Sequence, residues 1–147
     1  MSIVHAAAQL CRASAGHAFT LLTEASGLAR WNLGLRNARE AGAGLLTGES
    51  LFGGGSAWVR VHADAARGVV DYAVGADPGS LEPRIQARVQ PGIELGHPAD
   101  TCIVTLLAWR TPQMDDARWQ RLQAAHDVEI DLIRAQLEMP APRGDAA

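Results

Sequence analysis

Two residues that can exchange a proton are spaced for one face of a helix near the C-terminus. His126 and Glu129 are three residues apart, so on a helix their side chains are neighbours. A histidine titrates near neutral pH, and a carboxylate beside it can orient the ring and raise its pKa. The pair is therefore a candidate for general acid–base chemistry. The alternatives are that His126 is structural and hydrogen-bonds within the core, and that Glu129 lies at the solvated edge of the interface between helix and sheet.

Both residues belong to a long amphipathic segment from Asp115 to Met139. At about 100° per residue, the apolar positions and His126 fill an arc of about 80°, with Glu129 at its edge; they are Trp119, Leu122, His126, Ile130, Ile133 and Leu137. This pattern predicts a helix of about six turns with one narrow buried face. Asp115 and Asp116 suit its positive N-terminus.

Further candidate groups lie on a predicted strand, Val69 to Val74. Successive side chains of a strand point to opposite faces, so only one of Asp71 and Tyr72 can face the interior. Tyr72 shares its face with two valines and is the better inward candidate. Its phenol can hydrogen-bond a ligand oxygen or belong to the core. If Asp71 points inward instead, it is a candidate base.

Arginines on two other predicted strands could also reach an interior site. Arg60 and His62 share one face of the alternating segment Trp58 to Asp64, and the polar composition of that face favours solvent exposure. Arg88, in the alternating stretch Arg84 to Gln90, could likewise either face the interior or be exposed to solvent. A buried arginine would indicate a carboxylate or phenolate ligand.

The remaining elements are predicted from periodicity and capping residues. Trp58 to Asp64 and Val69 to Val74 are expected to pair as a hairpin, and the stretch from Leu35 to Phe52 has several glycines and a weak strand pattern. The other elements are a strand from Ile3 to Cys11, a helix from Ala15 to Thr23 capped by Ser14, a helix from Gly27 to Leu33 capped by Ser26, and a strand from Thr101 to Trp109. The continuous apolarity of this last strand suggests that both its faces are covered somewhere along its length.

Composition bounds the class of protein. The 147 residues are 48% hydrophobic and carry 13 cationic residues against 16 acidic ones, a formal net charge of −3. These values predict one globular domain over residues 1–139, followed by a frayed tail over residues 140–147. No run approaches ~18 apolar residues, so no membrane span is expected. The start lacks the pattern of a signal peptide, which leaves the cytoplasm as the default location.

Several kinds of site are excluded by what the sequence lacks. All 13 cations are arginine, which removes phosphate-loop and Schiff-base lysines. The arginines are scattered along the chain and the net charge is negative, so the sequence does not show the basic patch of a nucleic-acid-binding protein. The five histidines show no metal-ligand spacing, and Cys11 and Cys102 are too far apart in sequence for a metal site or a disulfide framework. No dinucleotide fingerprint is present.

The predicted order is a strand, two short helices, a run of antiparallel strands and one long helix. We therefore expect an α+β fold in which a curved antiparallel sheet wraps around the C-terminal helix. One helix cannot fill the inside of such a sheet, so a cavity between them is expected. Trp31, Trp109 and Trp119 lie near the ends of elements, where they either line the cavity mouth or pack in the core.

The sequence resembles the START-like (SRPBCC) helix-grip superfamily, and within it the polyketide cyclase/dehydrase-like and lipid-transport-like proteins. Four stretches carry the resemblance: Ala13–Asn32 (ASAGHAFTLLTEASGLARWN), Gly68–Tyr72 (GVVDY), Val104–Met114 (VTLLAWRTPQM) and Ile130–Glu138 (IDLIRAQLE). The chain departs from the family pattern at Tyr72, where relatives often have histidine, and at Arg134, where they often have lysine. A further departure is the enlarged hairpin loop from Gly92 to Ala99.

The resemblance implies a cavity for an apolar small molecule (aromatic, polyketide-like or isoprenoid) and no obligatory cofactor. The leading hypothesis is a binding protein for such a ligand, with contacts from Trp31, Tyr72, Arg88, Trp109, Trp119, Leu122, His126, Ile130 and Ile133. The second is a cyclase or dehydratase in which His126, with Glu129 or Tyr72, transfers protons. The third is a protein-interaction module similar to a co-chaperone, which needs an exposed apolar patch on the outer sheet. A homodimer is compatible with each.

Overall fold

In the computed structural model, which describes residues 2–140, a seven-stranded sheet curls around a long C-terminal helix. The strands are β1 (Val4–Cys11), β2 (Arg36–Glu40), β3 (Leu45–Glu49), β4 (Ser56–Asp64), β5 (Val69–Gly75), β6 (Glu82–Pro91) and β7 (Cys102–Trp109). The helices are α1 (Ala15–Thr23), α2 (Ala25–Trp31) and α3 (Asp116–Glu138), with a short 3-10 helix at Gly92–Leu95. The predicted α+β architecture is confirmed. Most of the predicted tail, residues 141–147, lies outside the described residues.

All neighbouring strands of the sheet are antiparallel, in the order β1-β7-β6-β5-β4-β3-β2. The predicted hairpin of β4 and β5 is confirmed, with Val61 opposite Tyr72. Gly68 closes its turn at φ +65°, and a Cβ there would lie 2.3 Å from the carbonyl oxygen of Val89. Only glycine fits this position. The weakly patterned stretch before β4 forms the two short strands β2 and β3.

The two short helices follow one another with a single residue between them. α1 has the predicted bounds, and its cap Ser14 accepts a hydrogen bond from the backbone N–H of His17 at 3.1 Å. The predicted start of α2 is wrong. α2 begins at Ala25, and its N-cap is Glu24, which makes no side-chain capping bond. Ser26 is therefore inside the helix, because α2 starts at the turn that ends α1.

The long helix α3 has the predicted buried face, and Asp115 is its N-cap. The carboxylate of Asp115 accepts from the N–H of Arg118 at 2.7 Å. The predicted stripe is buried except at Leu122, which is half-buried. Three polar contacts of 2.8–3.0 Å join β1 and the residue that follows it to α3, namely His5 to Asp127, Gln9 to Asp131, and the N–H of Arg12 to Glu138. They hold α3 over the β1 edge of the sheet and leave space above its middle strands.

One face of β7 is fully buried and the other is half-buried. Buried and half-buried residues alternate along the strand. On the outer face, Trp109 pairs with Val4 and Ile103 pairs with Leu10, and both β1 residues are exposed. This row of apolar side chains forms an outer patch on β1 and β7. It explains the continuous apolarity of β7 without a second covering layer.

The fold brings the two cysteines together although 90 residues separate them. Cys11 on β1 lies directly opposite Cys102 on β7, and both are free, buried thiols. Their distance in the sequence was therefore a poor guide to their distance in space. No helix of the described chain is long and apolar enough to cross a membrane.

Candidate functional site

A hollow of about 440 Å³ lies between α3, α2 and the inner face of the sheet. We call it the central hollow. Most of its lining side chains are apolar, including Trp31, Phe52, Val59, Val74, Ile85, Leu106 and Leu122. Phe52, Arg118 and Arg121 line it and are exposed, so the hollow opens to solvent at their end. Its size is within the usual range for small-molecule sites, about 300–1,000 Å³.

One face of α3 forms a wall of the hollow. The lining residues recur at the i, i+3 and i+4 spacing of a single helix face, in the order Arg118, Arg121, Leu122, Ala125, His126 and Glu129. The wall therefore changes along the helix from cationic at the open end, through apolar, to the His126–Glu129 pair at the inner end.

His126 and Glu129 are both buried in the wall of the hollow. They are 3% and 4% exposed, and 4.0 Å separates Nε2 of the histidine from Oε1 of the glutamate. The other carboxylate oxygen accepts from the N–H of Leu33 at 3.2 Å. Nδ1 of His126 has no hydrogen-bond partner among the described residues. The alternative that Glu129 lies at the solvated edge of the interface between helix and sheet is therefore wrong.

Burial shifts the two pKa values in opposite directions. It lowers the pKa of His126 to about 4, with a smaller contribution from nearby His5. Burial raises the pKa of Glu129 to about 8, against the stabilising hydrogen bond from Leu33. The expectation that Glu129 raises the pKa of His126 is thus wrong, because desolvation of the imidazole is the largest effect and a protonated Glu129 offers it no negative charge. At neutral pH the pair consists of a neutral imidazole and a protonated carboxyl group, one base and one acid.

Tyr72 and Trp31 also line the hollow, but their polar atoms are used within the protein. The Tyr72 hydroxyl donates to the carbonyl oxygen of Leu22, and the Trp31 indole N–H donates to that of Leu21 at 3.1 Å. Both carbonyls lie in the last turn of α1, where helical acceptors lack donors of their own. The two rings meet edge to face with centroids 6.4 Å apart. Burial, and then nearby Glu129, raises the pKa of Tyr72 well above its usual value.

Sequence reasoning missed Arg84, which reaches the hollow through a β-bulge. On β5, Tyr72 pairs with Ile85 of β6. The next residue, Ala73, pairs with Pro83, which leaves Arg84 as the extra residue of the bulge. Arg84 and Ile85 consequently both line the hollow although they are adjacent. Strict alternation would have placed them on opposite faces.

The structure places several predicted ligand contacts away from the central hollow. Arg88 is exposed and lines a separate hollow of about 430 Å³ beside the β4–β5 turn. Trp109 lies on the outer face of β7. Trp119 packs with Ala108 and Met114, and its indole N–H donates to the carbonyl of Ser2 at 3.1 Å. The two isoleucines of the α3 stripe, Ile130 and Ile133, belong to the main core and are not among the lining residues.

Arg60 and His62 on β4 and Asp71 on β5, whose direction the sequence did not decide, face outward. Val61 is opposite the buried Tyr72 and shares its face, so Arg60 and His62 take the other one. His62 pairs with Asp71, whose carboxylate accepts from Nε2 of Gln86 at 2.7 Å. Tyr72, rather than Asp71, is therefore the inward residue. In the part of the chain that is described, no group of three His, Cys, Asp or Glu residues could hold a metal ion.

Comparison with solved structures settles the fold. A START superfamily protein from Mycobacterium smegmatis superposes with a TM-score of 0.66 over 92% of this chain and 97% of that one, at 9% identity. The chain has the START-like helix-grip fold. The Aha1 protein from Colwellia psychrerythraea, solved as a dimer, has a TM-score of 0.69 at 17% identity, with 94% and 98% covered.

A third structure that shares the helix grip is larger. It is the di-domain ARO/CYC BexL of the BE-7585A biosynthetic pathway, with a TM-score of 0.64 at 18% identity. The match covers 94% of this chain and 47% of that protein. No protein-family model and no curated protein matches the sequence. At such identities the likeness is one of fold, and function depends on the site.

Proposed function

We propose that this helix grip binds an apolar small molecule, aromatic, polyketide-like or isoprenoid, in the central hollow. The observation that carries the proposal is an apolar lining with two polar groups, His126 and Glu129, at its inner end. Small-molecule sites combine an apolar wall with a few polar groups that fix orientation. A ligand that removes about 200 Å² of apolar surface from water gains about 5 kcal/mol before the cost of association.

Two neighbouring alanines of α3 provide a test. Ala125 is buried and lines the hollow, whereas Ala124 is exposed and does not. We expect N-phenylnaphthylamine, a neutral probe that fluoresces in apolar surroundings, to bind the wild-type protein. Ala125→Phe fills the hollow and should weaken binding about tenfold or more, because the added ring occupies the ligand's space. Ala124→Phe adds the same ring to the surface and should leave binding within about twofold.

Circular dichroism at the titration temperature shows that each variant is folded. Equal binding by the wild-type protein and folded Ala125→Phe would place the probe elsewhere and contradict the proposal. Failure of the neutral probe and of a panel of aromatic and isoprenoid compounds to bind would contradict it as well.

A second candidate function is cyclisation with loss of water, as in a polyketide cyclase or dehydratase. The protonation states of His126 and Glu129 support it, because burial favours an imidazole that can accept a proton and a carboxyl group that can donate one. In the proposed step His126 removes a proton from the carbon next to a carbonyl. The resulting enolate carbon attacks a second carbonyl, whose oxygen takes the proton of Glu129.

Loss of water then restores both groups. The imidazolium of His126 protonates the departing hydroxyl, while the carboxylate of Glu129 takes the proton from the adjacent carbon. Tyr72 is the weaker candidate for proton transfer because its hydroxyl already donates to Leu22. The phenol oxygen can still accept a hydrogen bond from a ligand.

The test of this second function is turnover of a linear poly-β-ketone thioester, followed by mass spectrometry. If the protein releases water from it, His126→Gln and Glu129→Gln should each lower the rate about 10²–10⁴-fold. His62→Gln, on the outer face of β4, is the matched control and should keep the wild-type rate. A rate that survives His126→Gln would contradict the mechanism.

The outer patch supports the third candidate function, a protein-interaction module. It supports a homodimer in the same way. The outer patch of β1 and β7 exposes Val4 and Leu10 beside half-buried Trp109 and Ile103. Apolar patches on edge strands are common contact surfaces. This support is weaker than that for ligand binding, because the patch carries no feature that selects a partner.

A further inference from the structure

Cationic side chains gather at the open end of the central hollow. Arg84, Arg118 and Arg121 line it, and among the described residues Glu129 is the one acidic residue that does so. Burial raises the pKa of Glu129 to about 8, so it carries little charge at neutral pH. The chain as a whole has a net charge of −3. The hollow therefore has the opposite sign of charge from the molecule around it.

Arg84 is the least exposed member of this cluster. Its side chain is 16% exposed, and its Nε has no hydrogen-bond partner among the described residues. Its ion pair with Glu82 is long, 3.9 Å between Nε and Oε2, and the Glu82 side chain is 52% exposed. Buried polar atoms are normally hydrogen-bonded. The Nε–H of Arg84, at the β-bulge, is thus a buried donor without an acceptor at hydrogen-bond distance among the described residues.

The electrostatic surroundings of Arg84 are those of a site for an anion. Burial, followed by the nearby positive charge of Arg118, lowers the pKa of Arg84 from its usual value. Like charges at short range and desolvation both disfavour the charged form. A bound anion would offset both effects at once, because it adds an opposite charge and hydrogen-bond acceptors at the same place.

We propose that the ligand of the central hollow ends in an anionic oxygen group, such as a carboxylate, which Arg84 binds together with Arg118 and Arg121. The inference rests on the proposed binding function and specifies its ligand class. The guanidinium of Arg84 offers paired donors that match two oxygens of such a group. The apolar body of the ligand extends inward past Leu106 towards His126 and Glu129.

The wall of α3 also sets the length of this ligand. Arg118 and Glu129 are eleven residues apart on one helix, which corresponds to about 16 Å along the axis. A ligand with its anionic end at Arg118 and a polar or carbonyl end at the His126–Glu129 pair would span at most about that distance, and less if the anion lies at Arg84, whose charge acts on His126. The ligand class is therefore an amphiphile with an acidic group at one end.

A pair of probes that differ in one anionic group tests the inference. Anilinonaphthalenesulfonate carries the aromatic skeleton of N-phenylnaphthylamine and adds a sulfonate. We expect the wild-type protein to bind the sulfonated probe about tenfold more tightly than the neutral one. Arg84→Gln should remove this preference, so that the two probes bind this variant with affinities within about twofold of each other. Added salt should weaken the preference, because it screens the partly exposed arginines.

Arg88→Gln is the matched control, since Arg88 lies on the same strand but lines the other hollow. It should leave both affinities unchanged, and a loss of sulfonate binding in this variant would place the anion in that other hollow and overturn the inference. If the neutral probe binds and Ala125→Phe blocks it, but the sulfonate adds no affinity, the anion site is wrong while the proposed function stands. If neither probe binds, both fail.

Discussion

Glu129→Gln is expected to change the pH at which the protein loses stability. The folded-state pKa of Glu129 is raised from 4.5 to about 8, so its contribution is fully present below pH 4.5 and is lost as pH rises towards 8. The folded-state pKa of His126 is lowered from 6.5 to about 4, so its contribution is present above pH 6.5 and is lost as pH falls towards 4.

The two dependences oppose each other between about pH 4.5 and 6.5 and nearly cancel. Above pH 6.5 only Glu129 still changes, so the wild-type free energy of unfolding should fall by about 2 kcal/mol up to pH 8, at about 1.4 kcal/mol per pH unit. Glutamine has the shape of the protonated carboxyl group and can still accept from Leu33. The variant should therefore be flat above pH 6.5 and lose stability below it, where His126 acts alone.

Urea denaturation at half-unit pH steps from 4.5 to 8.5 measures both profiles. Glu94→Gln, a change of an exposed glutamate, is the control and should follow the wild-type curve. Parallel profiles for the wild-type protein and Glu129→Gln would show that Glu129 is ionised in the folded state. That result would also remove the acid from the proposed cyclisation mechanism.

Tyr72→Phe is expected to destabilise the protein by about 1–3 kcal/mol. The change removes the hydrogen bond that the hydroxyl donates to Leu22 and leaves a buried carbonyl oxygen without a donor. The ring itself is retained, so its packing against Trp31 and the shape of the hollow should change little. The loss should therefore appear in stability and leave binding of the neutral probe within about twofold.

Urea denaturation and probe titration of the same preparation separate the two roles of Tyr72. Val61→Ala is a packing control, because Val61 is the residue opposite Tyr72 on β4. It should destabilise the protein without removing a hydrogen bond. Unchanged stability together with lost probe binding would mean that the hydroxyl serves the ligand rather than the end of α1.

The sequence was informative where a regular period determines the structure. The stripe of α3 follows the 3.6-residue repeat, so the inward direction of His126 could be predicted from its position alone. Glu129 lies at the edge of that stripe, and its burial depends on Leu33, whose N–H it binds across 96 residues of chain. A local sequence pattern cannot reveal a contact between such distant residues. Burial of the pair lowers the pKa of His126, where a rise was expected.

Arg84 shows the second reason why the site could not be fully predicted. The stretch from Arg84 to Gln90 alternates, and alternation assigns Arg84 and Ile85 to opposite faces. A bulge of one residue breaks that rule, and the arginine joins the hollow. Arg88, on the regular part of the same strand, stays outside. The choice between these two arginines depends on register, which is a property of the pair of strands.

The three contacts between β1 and α3 have a consequence for how the molecule assembles. They join the first strand to the last helix, with 122 to 126 residues between the partners. Closing so long a loop loses chain entropy before any contact is formed, and folds dominated by such distant contacts form slowly. During synthesis the wall that carries His126 and Glu129 is made after all seven strands of the sheet. The hollow is therefore completed only when the two ends of the domain meet.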